Sequence, residues 1–362
     1  MRENWVAVLG QRDAPTDGVE EYCRYLGTAL TKYGIELTLI RVPWAELGWT
    51  KAIGQLEQQV LRLRARWVLI QYTALAWSRR GLPWEVAGLV RSLKKEGVLC
   101  GAVFHDPVPY GGSGLRNGLR RMVQVRTMRN VARLADCAVL TIPLDRATWL
   151  PRDVHKALFI PVGANLPKPE RAWELSEQCG KDTATIAVFS ITGGEAGEVE
   201  MARITEALGV VWKQIGRVRL VVFGRNADVD GLKLKEKLAG TPTEVVIHGL
   251  LEPGKIIELL GSSDVMLFVR GPISTRRGSA LAGIACGLPV VACGGWETAG
   301  PVTEAGMVLV EQGSGVAAGE AIVRILQDEA YRQELQKRSR RAQEQFFSWD
   351  VIAAAYATAL NG

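Results

Sequence analysis

The chain has 362 residues, 44 Lys and Arg against 38 Asp and Glu, a net charge of +6 and 48% hydrophobic residues. That length exceeds what one hydrophobic core organises, so two domains are expected, and the longest apolar runs, such as Val265 to Val269, fall far short of the roughly 20 residues of a membrane span. The opening residues lead straight into strand-like sequence without a signal-peptide pattern, and the six cysteines have no metal-ligand spacing. The expectation is a cytoplasmic protein with reduced, buried cysteines, no metal and no resident cofactor.

Apolar strand-sized runs alternate with helical patterns along the whole chain, the signature of parallel α/β layers. In the first half, Trp5 to Gly10 reads as a strand, Gln11 to Asp17 as a loop, and Gly18 opens a helix that closes near Tyr33-Gly34, with the glycine as its C-cap. Ile35 to Val42, Trp67 to Tyr72 and Val98 to Phe104 follow as strands, the last delivering His105-Asp106 to its carboxyl tip. An imidazole there can donate a hydrogen bond or accept a proton; the plainer reading is a strand-end histidine bonded to Asp106 or to backbone. His248 also ends a strand and reads as structural, and His155 has no constellation around it. Trp44, Trp49, Trp77 and Trp84 crowd one region, as a sugar-stacking platform, a membrane-facing belt or simply core.

Arg116, Arg120, Arg121, Arg126, Arg129 and Arg133 fall in a stretch with no acidic residue, interleaved with Leu119, Met122, Val123, Val125, Met128, Val131 and Leu134. This predicts an amphipathic basic helix. It fits an anionic lipid surface, where each basic residue contributes about 1 kcal/mol, and equally a solvated outer face. Nucleic acid is not expected, because no aromatic-basic strand platform, zinc knuckle or helix-turn-helix is visible. Cys137 to Ile142 and Ala157 to Ile160 complete the first sheet.

Prolines then mark a joint: the first domain is expected over 1–164, a linker over 165–183, a second domain over 184–345, and a terminal helix over 346–362. The second half restarts with the strand Ala184 to Ser190, followed by Ile191-Thr-Gly193-Gly194-Glu195, whose amides can approach a phosphate closely. Arg225 follows the next strand and either reaches the same anion or is a surface charge. From Val265 to Ala292 a strand runs into Ser274-Thr275-Arg276-Arg277-Gly278-Ser279, then a small-residue helix, then a second buried strand. Unpaired amides at a helix start beside two arginines make an anion site in outline, most plausibly for a diphosphate; an ordinary turn with solvated arginines is the alternative. Asp228 and Asp230 are the nearest approach to an Asp-x-Asp pair and read as loop. Ligands in open α/β sheets bind beyond the carboxyl strand ends, so with two sheets the expected site is the cleft between them.

Gly18-Val-Glu-Glu-Tyr-Cys-Arg-Tyr-Leu26 resembles the glycine loop and first helix of GT-B glycosyltransferases of the family-4-like group, the glycosyl transferases group 1. Pro161-Val-Gly-Ala-Asn165 resembles the interdomain element of that group, Ala285-Cys-Gly-Leu-Pro-Val-Val-Ala292 is similar to the segment after its donor-site helix, and Phe347-Ser-Trp-Asp-Val-Ile-Ala353 resembles the start of its terminal helix. The resemblance implies two Rossmann-like domains with parallel sheets and transfer of a sugar from a nucleotide-sugar to a glycan or lipid-linked acceptor, as in surface polysaccharide or glycolipid synthesis. It implies a role for His105 near the donor sugar or acceptor hydroxyl, and for Gly18 near the donor diphosphate. Arg225, Arg276, Arg277, Gly278 and Ser279, with the amides of Gly193 and Gly194, would then stabilise the departing diphosphate without a metal. The family carries two glutamates flanking the donor helix; Ser274 and Ala282 stand at those positions, which favours a non-catalytic relative as the alternative, with Glu297 and Glu304 as candidate replacements. A nucleotide-sugar epimerase, which shares the architecture, is a third reading.

Overall fold

The computed structural model describes residues 3–178 and 183–361, and the chain forms two compact units, Met1–Val162 with Trp349–Gly362, and Gly163–Ser348. In the first unit a parallel six-stranded sheet runs in the order β2-β1-β3-β4-β5-β6, built from β1 (Glu3–Leu9), β2 (Ile35–Arg41), β3 (Trp67–Tyr72), β4 (Leu99–Phe104), β5 (Cys137–Leu140) and β6 (Ala157–Phe159). The helices of its continuous segment are α1 (Gly18–Leu30), α2 (Trp44–Leu47), α3 (Trp49–Leu63), α4 (Glu85–Lys95) and α5 (Leu115–Leu134). Every residue of β3 is buried, as a central parallel strand with both faces covered requires. Asp17 caps α1 by accepting the Val19 and Glu20 amides at 3.1 Å each.

The second unit holds α6 (Arg171–Gln178), β7 (Thr185–Phe189), α7 (Glu195–Ile215), β8 (Val218–Phe223), α8 (Asp230–Lys237), β9 (Thr243–Ile247) and α9 (Pro253–Gly261). It continues with β10 (Val265–Phe268), α10 (Gly278–Ala285), β11 (Val290–Cys293), β12 (Met307–Val310), α11 (Gly315–Gln327) and α12 (Glu329–Ala342). Its parallel sheet has the order β12-β11-β10-β7-β8-β9, so the chain departs from β7 first to one side and then, at β10, to the other. The carboxyl ends of β7 and β10 therefore flank the topological switch point where open α/β sheets bind their ligands.

The last helix, α13 (Trp349–Asn361), belongs to the first unit. It packs on α1: the Tyr22 hydroxyl donates to that of Tyr356 at 3.0 Å, Trp349 stacks on Tyr25 at 5.6 Å, and Trp67 Nε1 donates to the Leu360 carbonyl at 2.9 Å.

Three expectations change. The expected linker over 165–183 contains α6, which packs on α9 as part of the second unit; the rest of it, with Cys179, lies partly outside the described residues. The basic helix exists as α5, but its apolar residues do not share one face. The buried side consists of Gln124, Thr127, Met128, Val131 and Ala132, whereas Leu115, Leu119 and Met122 are 95%, 56% and 61% exposed. The buried residues all fall from Gln124 onward, towards its carboxyl end. Of the four crowded tryptophans, Trp44, Trp49 and Trp77 stack consecutively within or against the core at 5.4 and 6.1 Å, and only Trp84 faces solvent.

Candidate active site

At the switch point of the second unit, β7 is followed by Ser190, whose φ of 67° is left-handed, and the loop after β8 contains a second such residue, Asn226, at 61°. Backbone strain at non-glycine residues persists only where surrounding structure over-determines it. Here the two loops are tied together: the Arg225 amide donates to Ser190 Oγ at 3.1 Å, and Asn226 Nδ2 donates to the Ile191 carbonyl at 3.2 Å. Gly224 has φ 96°, and a Cβ on it would sit 2.6 Å from Ser190 Oγ, so this junction requires glycine.

The loop then climbs to α7. The buried carboxylate of Glu200, on the second turn of α7, accepts the Thr192 amide at 2.7 Å and fixes the height of the loop. Gly193 and Gly194 are exposed, and Gly194, at φ 69°, precedes the uncapped first turn of α7. Of the acidic residues in that turn, Glu198 faces Lys233 and Lys237 at 3.8 and 3.4 Å.

From the other side of the switch point, Arg270 follows β10 and its Nε lies 3.5 Å from Thr192 Oγ1. Burial lowers the pKa of this guanidinium and the nearby Arg225 lowers it further, against the attraction of Glu200. Arg270 is thus a partly desolvated cation at the switch point, with the carboxylate of Glu200 supporting its charge and that of Arg225 opposing it. Sequence reading missed Arg270; the available signal was a basic residue directly after a buried strand, at the position Arg225 holds after β8.

The loop that carried the sequence expectation divides sharply. Ser274 and Thr275 are fully buried beneath it, and Ala282, on α10, is 2% exposed. Arg276 directs its fork into Glu297, with Nε and Nη2 at 2.7 and 2.8 Å from the two carboxylate oxygens. Burial alone would raise the Glu297 pKa, but the bonds and charge of Arg276, with the charge of Arg277, hold it below the ordinary value. Glu297 therefore serves as the counter-charge that anchors Arg276. Arg277 occupies the N-cap position of α10, followed by Gly278 and Ser279, whose amides face the uncapped end of the helix. Asp230 starts α8, buried and paired with Lys233 at 2.9 Å, and among the described residues no cluster of metal-ligating side chains occurs.

In the first unit, Gly18 begins α1 behind Asp17, which with Glu20 grips Arg41 at 3.0 and 2.6 Å; Arg41 also donates to the Gly10 carbonyl at 2.7 Å. His105, at the end of β4, is half-buried, with Nε2 2.8 Å from Gln71 Oε1 and the Tyr22 ring edge-on at 4.9 Å. Burial pushes its pKa down to about 4, against a weak opposing pull from Asp17. The unfolded chain, at the ordinary 6.5, then binds the proton more readily, so this group stabilises the fold above pH 6.5 and the contribution is lost as pH falls from 6.5 through 4. Of the unfolding free energy of the first unit, about 2 kcal/mol should disappear across that window in the wild type and be absent in His105→Gln, read by denaturant titration at stepped pH. Equal slopes in the two proteins would refute the assignment.

Residues 195–328 match the family described as Glycosyl transferases group 1, a span from the first residue of α7 past α10 and the strand after it. No curated protein matches the chain. Among solved structures, sucrose-phosphate synthase from Thermosynechococcus elongatus superposes with a TM-score of 0.67 at 19% identity, covering 99% of this chain and 98% of that one. A glycosyltransferase from Rickettsia africae gives 0.69 at 15% identity over 99% and 98% of the two chains. Anabaena HepE, solved with UDP and glucose, gives 0.66 at 14% identity over 99% and 100%. The chain therefore has the GT-B fold, and residues 195–328 of its second unit are similar to the family described as Glycosyl transferases group 1.

Proposed function

We propose that this protein is a glycosyltransferase that draws on a nucleoside-diphosphate sugar, held by its diphosphate at the switch point of the second unit. The observation that carries the reading is Arg270, a partly desolvated cation after β10 whose Nε lies 3.5 Å from Thr192 Oγ1, next to the exposed Gly193-Gly194 turn before α7. Breaking the anomeric C–O bond leaves a nucleoside diphosphate that gains negative charge in the transition state, and preorganised cations and amides aimed at that charge are the strongest lever available. Arg277 and the Gly278 and Ser279 amides extend the same cradle, and in this reading they do the work of a divalent cation. The complex of HepE with UDP and glucose supports a nucleotide-sugar as the donor class.

The acceptor we assign is a glycan or lipid-linked glycan met at an anionic membrane surface. Leu115, Leu119 and Met122 lie exposed at helical spacing on the amino half of α5, beside the exposed Arg116 and Arg121. Apolar side chains inside a basic ring suit a bilayer interface. Sedimentation with phosphatidylglycerol vesicles should pull down the wild type and lose about tenfold on Leu115→Ser/Leu119→Ser, with weakening at high salt; indifference to both would remove the membrane from the reading.

A second reading, a non-catalytic relative that binds without turnover, is favoured by one observation: neither family glutamate position supplies a carboxylate, and Ser274 and Ala282 are both buried. Calorimetric titration with UDP, GDP, ADP and dTDP, each with and without magnesium, tests the proposal. Micromolar binding of one nucleotide, followed by release of that nucleotide from its sugar conjugate, supports the enzyme; binding without release supports the second reading, and silence across the panel refutes the diphosphate site.

A further inference from the structure

Gln71 lies within β3, 1% exposed, and its Nε2 donates to the Leu69 carbonyl of the same strand at 3.2 Å. That bond orients the amide: the nitrogen is committed to backbone, so the oxygen is what faces His105 Nε2 at 2.8 Å. A carbonyl oxygen only accepts, so His105 Nε2 must carry a proton. The ring is held from a second direction by Tyr22, at an interplanar angle of 80°, and Tyr22 is itself braced by its bond to Tyr356 and by the edge of Trp349 at 5.2 Å. Among the described residues no hydrogen bond is made by His105 Nδ1.

We propose that Gln71 is a positioning residue that locks His105 as the Nε2–H tautomer, leaving the Nδ1 lone pair for a ligand group that donates a hydrogen bond. The only N–H of the ring is turned into the protein, so the ring has nothing to offer a phosphate oxygen. The partner this selects is a hydroxyl, the group with which a sugar is richest. A neutral ring fits the same assignment, since burial disfavours the imidazolium. The charged and titratable groups around the ring are Asp17 at the start of α1, Asp106 next in sequence, and Tyr22; none of them replaces Gln71 at Nε2. The identity of the ligand as a sugar rests on the glycosyltransferase reading; the tautomer does not.

The chain has three histidines, which makes the ring states directly observable. Long-range proton–nitrogen correlation on uniformly labelled protein, assigned with His155→Gln and His248→Gln variants, should show His105 at pH 7 with Nε2 protonated and Nδ1 bare. In Gln71→Leu, loss of one hydrogen bond should shift the tautomer ratio about tenfold toward Nδ1–H. In Gln71→Glu, a carboxylate at the same place should make the ring cationic at neutral pH. Wild-type His105 protonated at Nδ1, or a tautomer ratio unmoved in Gln71→Leu, overturns the proposal. The wild-type spectrum decides the first point even if a variant folds poorly. Nucleotide titration on the same samples separates the two readings: a silent panel with the Nε2–H tautomer intact refutes the transferase and leaves the role of Gln71 standing.

Discussion

Replacing Arg270 by alanine should weaken binding of the cognate nucleoside diphosphate about thirtyfold to a hundredfold while leaving the thermal stability of the second unit within about 1 kcal/mol of wild type. The affinity loss follows from removing one charge-assisted contact to phosphate, in a setting where water screens it poorly; such bonds contribute about 1.5–3 kcal/mol. The small stability change follows from the surroundings of the residue. Burial opposes its charge, as does the neighbouring Arg225 against the attraction of Glu200, and its one side-chain hydrogen bond among the described residues, to Thr192 Oγ1, is long at 3.5 Å. A cation that the fold holds at some cost, and that a ligand relieves, is what a binding residue looks like in energetic terms. Arg225→Ala should act in the same direction, and the double variant should fall short of the product of the single losses, because the two guanidinium groups influence each other. Isothermal calorimetry gives the affinity and differential scanning calorimetry the stability. Unchanged affinity in Arg270→Ala, or a loss of stability that matches the loss of affinity, would show that Arg270 is structural.

The largest expected effect on stability lies at Gly197, in the first turn of α7. A Cβ there would fall onto the Thr192 carbonyl oxygen and reach the Ile191 side chain at 3.6 Å. Thr192 cannot retreat, since Glu200 holds its amide at 2.7 Å and Asn226 holds the preceding carbonyl at 3.2 Å. Gly197→Ala should therefore destabilise the second unit by about 3 kcal/mol, a fall of roughly 6–12 °C in its transition. Nucleotide affinity should fall with it, because the same displacement lifts the Gly193-Gly194 turn. Gly209, two turns or more along the same helix, has no atom within 4 Å of an added Cβ. Gly209→Ala should stabilise α7 by about 0.5–1 kcal/mol, the intrinsic helix preference of alanine. Opposite signs at two glycines of one helix separate close approach from propensity; equal signs would mean that the loop does not rest on the helix.

The sequence by itself determined the layer pattern and the places where strands end. Strand-sized apolar runs separated by helical ones lead to parallel sheets because each unit must cover both faces of its strands, and this local rule holds from Trp5 through Val310. It also carried the glycine signals: Gly34, at φ 71°, ends the turn after α1 where a C-cap was expected, and Gly194 precedes α7 at φ 69°. These features depend on residues close in the chain. Strand order does not. Only the tertiary structure placed β7 beside β10, and with it Arg270 beside Thr192 and Arg225, from three loops far apart in sequence. The pairing of Arg276 with Glu297 was equally invisible, since nothing local distinguishes a guanidinium that waits for phosphate from one already held by a carboxylate. On α5 the spacing of apolar residues suggested one buried face, yet the amino half of the helix leaves Leu115, Leu119 and Met122 uncovered. Burial is set by what stands opposite a side chain, and periodicity does not encode that. His105 shows both halves of the lesson: its position at a strand tip was legible, but the proton on Nε2 is fixed by Gln71, 34 residues earlier on the adjacent strand.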